Sequence, residues 1–88
     1  MLEEERRLEK IGTVKHFFTK ISVIVIDLSG ALAVGDKIVI RGASTDFEQV
    51  VESMQIEHEN VESASAGQSV GLKVKGRARE GDVVYKVV

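Results

Sequence analysis

The chain has 88 residues, enough for one domain and one compact core but not for two. Its formal net charge of −2 argues against a general polyanion binder, and the lack of Cys excludes disulfides, thiol catalysis and thiolate metal sites. The longest apolar run, ISVIVIDL, is far too short for a membrane span, and the start MLEEERRLEK has no apolar stretch of a signal peptide. A cytoplasmic protein is expected, and scarce Asn and Gln beside abundant Glu, Lys, Arg and Val lean toward a thermophile.

Residues 1–10 read as an N-terminal arm or short helix, in which Glu3 and Arg7 stand four apart with the acid first. So short a helix needs a surface to rest on. From Ile11 to Val88 the texture is β: short Val, Ile and Phe runs broken by Gly-containing turns, with no 3.6-residue period. Strands are expected near 11–19, 21–28, 36–42, 48–57, 68–76 and 82–87. Three turns resemble one another, at Gly35-Asp36, Gly67-Gln68 and Gly81-Asp82. In each, Gly supplies an unusual backbone angle and the polar residue after it satisfies nearby backbone groups.

Six short strands and almost no helix predict an all-β fold, a small closed six-stranded barrel. The expected inward residues are Val14, Ile24, Ile26, Ile38, Ile40, Met54, Ile56, Val70, Leu72, Val74, Val83 and Tyr85. The strand at 21–28 departs from simple alternation, because Val23 and Val25 give it a second apolar face. That face requires a cover: Leu2 and Leu8 of the arm, or a second protein.

The order IGTVKHFF, IDLSGALAVGDKIVIRG, VESMQIEHENVESASAGQSVGLKV and finally GDVV resembles the second domain of translational GTPases. Elongation factor Tu and the bacterial-type and archaeal initiation factors carry that barrel, and the resemblance covers residues 11–88. Free-standing elongation-factor-like proteins are similar, and a related barrel closes some collagenase-like peptidases. The resemblance implies a Greek-key barrel that binds RNA or protein partners. In tRNA-carrying members a pocket on it holds the terminal adenosine and its aminoacyl group. Gln55 falls where those members place a residue over the adenine; elongation factor Tu has an acid there. The GTPase half is missing, since no G-x-x-x-x-G-K-[ST] occurs, and nucleotide hydrolysis by a P-loop is not expected.

Lys73, Lys75, Arg77 and Arg79 recur at every second position, and in an extended strand they share one face. Their spacing, about 6.6–7 Å between neighbours, suits successive phosphates along an extended nucleic acid. The plainer account pairs them across strands with the acids between Asp46 and Glu62, a stretch without Lys or Arg. His16 beside Phe17 and Phe18 suggests a stacking platform for a base, although Phe more often fills core. His58 has no second His at metal-ligand spacing, and none of the seven Ser residues sits in G-x-S-x-G. No catalytic residue, metal or cofactor is expected.

The resulting reading is a non-catalytic binding module for RNA (tRNA or the ribosome) or a translation-associated protein. Its candidate contacts are Lys73, Lys75, Arg77, Arg79, Gln55, His16 and Phe17. The alternative is an accessory or assembly domain that binds an enzyme, such as a collagenase-like peptidase or an RNA-modifying protein, or a second copy of itself, through Val23 and Val25.

Overall fold

A computed structural model describes residues 7–88. The described residues contain no helix. They form ten strands: β1 Leu8–Phe18, β2 Val23–Leu28, β3 Leu32–Ala33, β4 Lys37–Arg41, β5 Asp46–Val50, β6 Met54–Ile56, β7 Glu59–Val61, β8 Ser63–Ala64, β9 Ser69–Lys73 and β10 Val83–Val87. Eight make one antiparallel sheet in the order β5-β4-β10-β1-β2-β9-β6-β7, while β3 and β8 pair separately. No helix among the described residues is long and apolar enough to cross a membrane.

The three Gly turns are built alike. Asp36 N–H donates to Ala33 O (3.1 Å), Gln68 N–H to Ser65 O (3.2 Å) and Asp82 N–H to Arg79 O (3.1 Å). The side chain of the same polar residue then accepts the N–H of the first: Ala33 to Asp36 Oδ2 (2.9 Å), Ser65 to Gln68 Oε1 (2.8 Å), Arg79 to Asp82 Oδ2 (2.8 Å). The Gly at the third position has φ of 99°, 91° and 93° in turn, as a type II turn requires. One local rule, repeated three times, thus sets where β4, β9 and β10 begin.

The expected closed ring of six strands is not what the ladder shows. The predicted strand at 48–57 is broken at 51–53 into β5, which pairs with β4, and β6, which pairs with β9. No backbone ladder joins β5 to the chain leaving β9. Gln49 spans that seam with its side-chain amide, its Nε2 donating to Lys73 O and its Oε1 accepting Lys75 N–H, each at 2.8 Å. The amide does what a peptide group of a neighbouring strand would do. Beside it the Phe47 ring packs on Gly76, where a Cβ would come within 2.9 Å of the ring.

Inside lies one core of Ile11, Val14, Ile24, Ile26, Ile38, Ile40, Val51, Met54, Val70, Leu72 and their neighbours. Ile56 is partly buried and packs against it. The phase of β10 is opposite to expectation: Val84 is fully buried, while Val83 and Tyr85 are only partly covered. Residues 83–88 are apolar at nearly every position, so composition could not set the face; the Asp82 turn and the register Val84↔Ile40 do. On β4, Val39 is 1% exposed although it stands outside the core cluster, in register between Tyr85 and Glu48.

Leu8–Lys10, expected in the arm, extend β1 instead, with Leu8 opposite Val87. A ladder partner in β10 outweighs the marginal stability of so short a helix. Leu8 therefore lies at the β10 end of β1, whereas Val23 and Val25 pair with Phe18 and His16 at the other end, and Leu8 does not cover them. Leu2 and the rest of the expected arm through residue 6 lie outside the described residues.

Replacing Gln49 tests the seam. Gln49→Met keeps length and volume but leaves Lys73 O and Lys75 N–H without partners, so it should cost about 2 kcal/mol in urea unfolding, as should Gln49→Ala. A loss under about 0.5 kcal/mol in both would show that the seam does not depend on these bonds.

Candidate docking surface

On the outer face of β2, Val23 and Val25 point away from the core and stay partly exposed. Beside them on β9 is Gly71, paired in register with Val25 on one side and Gln55 of β6 on the other. With no side chain there, the sheet has a hollow. Phe18 and Ile21 close one end, and Gln55, Glu57 and His58 form the far wall, giving a groove of about 510 Å³ with an apolar floor. Phe18 is 45% and Ile21 57% exposed, among the most exposed large apolar residues of the fold. Gly71 is not sterically required: a Cβ would meet Val23 Cγ1 at 3.7 Å, an ordinary contact.

Three non-Gly residues of the described chain adopt positive φ, and all lie at this groove: Ser22 (55°) between Ile21 and Val23, and Glu57 (52°) with His58 (67°) on the wall. Glu57-His58 is the two-residue loop of the β6–β7 hairpin, where Ile56 pairs with Glu59. Two left-handed residues in such a loop make a type I′ turn, normally Asn-Gly. A side chain in that region costs about 1–2 kcal/mol per residue. Strain of this kind collects at functional surfaces. The sequence carried a trace of it, a hairpin loop without Gly or Asn.

The expected contacts divide between two places. Gln55, Val23 and Val25 join the groove, and Gln55 donates through Nε2 to Asn60 Oδ1 at 3.1 Å. Lys73 borders it, opposite Val23. Past Lys73 the chain leaves the sheet but keeps an alternating exposure: Val74 and Ala78 are buried while Lys75, Arg77 and Arg79 are exposed. Arg77 and Arg79 reach a second recess of about 440 Å³ at the end of the sheet, with Phe17, Thr19, Ser44, Thr45 and Ala78. The stripe is therefore not one flat ribbon. Nor does it answer the acidic segment, as the plainer account required. Two of those acids pair with β4, Glu48 with Lys37 at 3.0 Å and Asp46 with Arg41 at 3.5 Å, because β5 runs beside β4. None of the four cations forms an ion pair among the described residues.

The His16–Phe17 platform also differs from expectation. Consecutive strand residues face opposite ways, so Phe17 packs against the core while Phe18 meets the His16 ring edge-on at 4.3 Å. His16 Nδ1 lies 3.0 Å from Glu80 Oε2, an exposed pair. Ser69 Oγ donates to Asp27 Oδ1 at 2.6 Å, so its hydroxyl bonds to a carboxylate, with no imidazole bonded to it among the described residues. Among those residues no group of His, Asp and Glu is placed to hold a metal ion.

The family model for elongation factor Tu domain 2 matches residues 22–85. The chain belongs to that family. Similar curated proteins are an uncharacterized protease of Methanocaldococcus jannaschii, 48% identical over 81 residues, and a collagenase of Porphyromonas gingivalis, 34% identical over 83. These matches take 91% and 92% of this chain but 20% and 23% of the relatives, so the chain spans about a fifth of their length. Two solved structures of the C-terminal domain of a Geobacillus thermoleovorans putative U32 peptidase share the fold at 22% identity, with TM-scores of 0.82 and 0.84. The first match covers 86% of this chain and 96% of that one, the second 89% and 91%.

The strained hairpin gives a stability test. His58→Gly, or Glu57→Asn with His58→Gly, should raise stability by about 1 kcal/mol in chemical denaturation. Unchanged or lower stability would show that the loop is not strained.

Proposed function

We propose that this elongation factor Tu domain 2 unit is a non-catalytic accessory module that docks on a catalytic chain of the U32 peptidase type. The apolar groove over Gly71 carries the proposal. Its floor of Val23 and Val25, with Phe18 and Ile21 at the end, offers contact area to a partner's side chains, and its polar wall fixes orientation. Relatives named protease and collagenase that extend far beyond the matched segment supply the class of partner. In this reading the reacting groups belong to the larger chain, and the domain contributes affinity and placement, whether the two are joined covalently or not.

Gly71→Val and Val25→Asp test the groove. The first fills the hollow with a side chain suited to a strand, and the second puts a charge on its floor. The binding partner is the M. jannaschii protease without the segment that matches this chain. Size-exclusion chromatography should show a complex with the wild-type domain that is lost in both variants, while their melting temperatures stay within a few degrees. No complex, or one that survives both substitutions, would remove the proposal.

A second reading, docking on RNA, draws on Lys73, Lys75, Arg77 and Arg79, which form no ion pair among the described residues. If all four contact phosphates, the log–log dependence of tRNA binding on salt should have a slope of about −3. A flat response would end it.

A further inference from the structure

The recess at the end of the sheet differs from the apolar groove. It forms where the end of β1, the β4–β5 hairpin and the segment after β9 meet. Its lining residues are Arg77 and Arg79 with Thr19, Ser44, Thr45, Phe17 and Ala78, and no Asp or Glu is among them. Every charged or hydroxyl group on the lining can donate a hydrogen bond. Of the lining residues, Arg77 and Ala78 have backbone N–H groups with no acceptor among the described residues.

Two nearby acids are engaged with other partners, and a third is buried against Arg79. Glu80 pairs with His16 at 3.0 Å, and Asp46 with Arg41 at 3.5 Å. Asp82 is 6% exposed, and its Oδ2 accepts the Arg79 N–H. A chain of net charge −2 thus keeps a locally positive, donor-lined hollow. Two arginines, with neighbouring backbone N–H groups that have no acceptor among the described residues, suit a tetrahedral oxyanion better than a single point charge, because several directed donors reach several oxygens.

We propose that this recess is a binding site for a phosphate group. Arg77 and Arg79 supply the charge, the hydroxyls of Thr19, Ser44 and Thr45 supply neutral donors, and the exposed part of Phe17 bounds the apolar side. The site is independent of the Gly71 groove and requires one phosphate only, whereas the RNA reading requires the whole stripe. The phosphate's source is free phosphate or a monoester in one case, and the backbone of a single-stranded nucleic acid in the other.

The test is a titration of the 88-residue chain with inorganic phosphate, followed through backbone amide and arginine Nε resonances. Chloride at matched ionic strength is the control. Phosphate should produce saturable shifts centred on Arg77, Ala78 and Thr45, with a Kd in the millimolar range. Arg77→Glu with Arg79→Glu should abolish them, Arg77→Lys with Arg79→Lys should weaken them several-fold, and Lys73→Glu with Lys75→Glu should leave them centred as before. Equal shifts with chloride, or an equal loss in the lysine pair, would overturn the site in favour of diffuse attraction. A short single-stranded RNA separates the sources. Binding tighter than phosphate and dependent on all four cations assigns the site to a nucleic-acid backbone. Binding no tighter assigns it to free or monoester phosphate and removes the RNA reading while the site stands.

Discussion

The fold depends on a seam that backbone pairing leaves open. Between β5 and the chain leaving β9 no ladder forms, and Gln49 carries the connection with one donor and one acceptor. Phe47 on Gly76 seals the same joint from the apolar side. A side-chain amide can replace a peptide group here because it has the same donor and acceptor, provided it is largely shielded from competing water. Gln49 is buried.

Both candidate surfaces follow from how this seam is made. Val74, Ala78 and the Lys75 N–H tie the segment after β9 inward, so its cations stand outward without a neighbouring strand. That leaves Arg77 and Arg79 beside the β4–β5 hairpin instead of in a ladder. The kink at residues 51–53 sends β6 to the far side of β9, which puts Gln55 and the strained Glu57-His58 loop across Gly71 from Val25. One break in one strand therefore supplies the wall of the groove and frees the stripe from the acids.

Much of this was legible in residue order. The Gly turns were, because each is closed within four residues by its own Asp or Gln. The inward residues of β2, β4 and β9 were, because Ile24, Ile26, Ile38, Ile40, Val70 and Leu72 keep a period of two. The face of β10 was not: a run apolar in both phases fits either, and only its register with β4 decides. The two-faced character of β2 was visible as a pattern, yet the hollow beside it needed Gly71 to fall opposite Val25. The basic stripe was visible too, but its relation to the acids was misjudged, because charge matching between distant segments says nothing about which strands adjoin.

What the residue order determined by itself is local: an all-β chain of the domain 2 family, its turns, most of its inward faces, and a sequence with no Cys and no P-loop pattern. These depend on dihedral preferences, short-range hydrogen bonds and a period of two, each confined to a few neighbouring residues. Only the tertiary structure decided that β5 lies against β4, that Gln49 bridges the seam, and that Gly71 and Arg77–Arg79 open two separate hollows. Apart from the β4–β5 hairpin, those are contacts between segments far apart in the chain, selected by how the whole chain buries its core, and no single stretch encodes them.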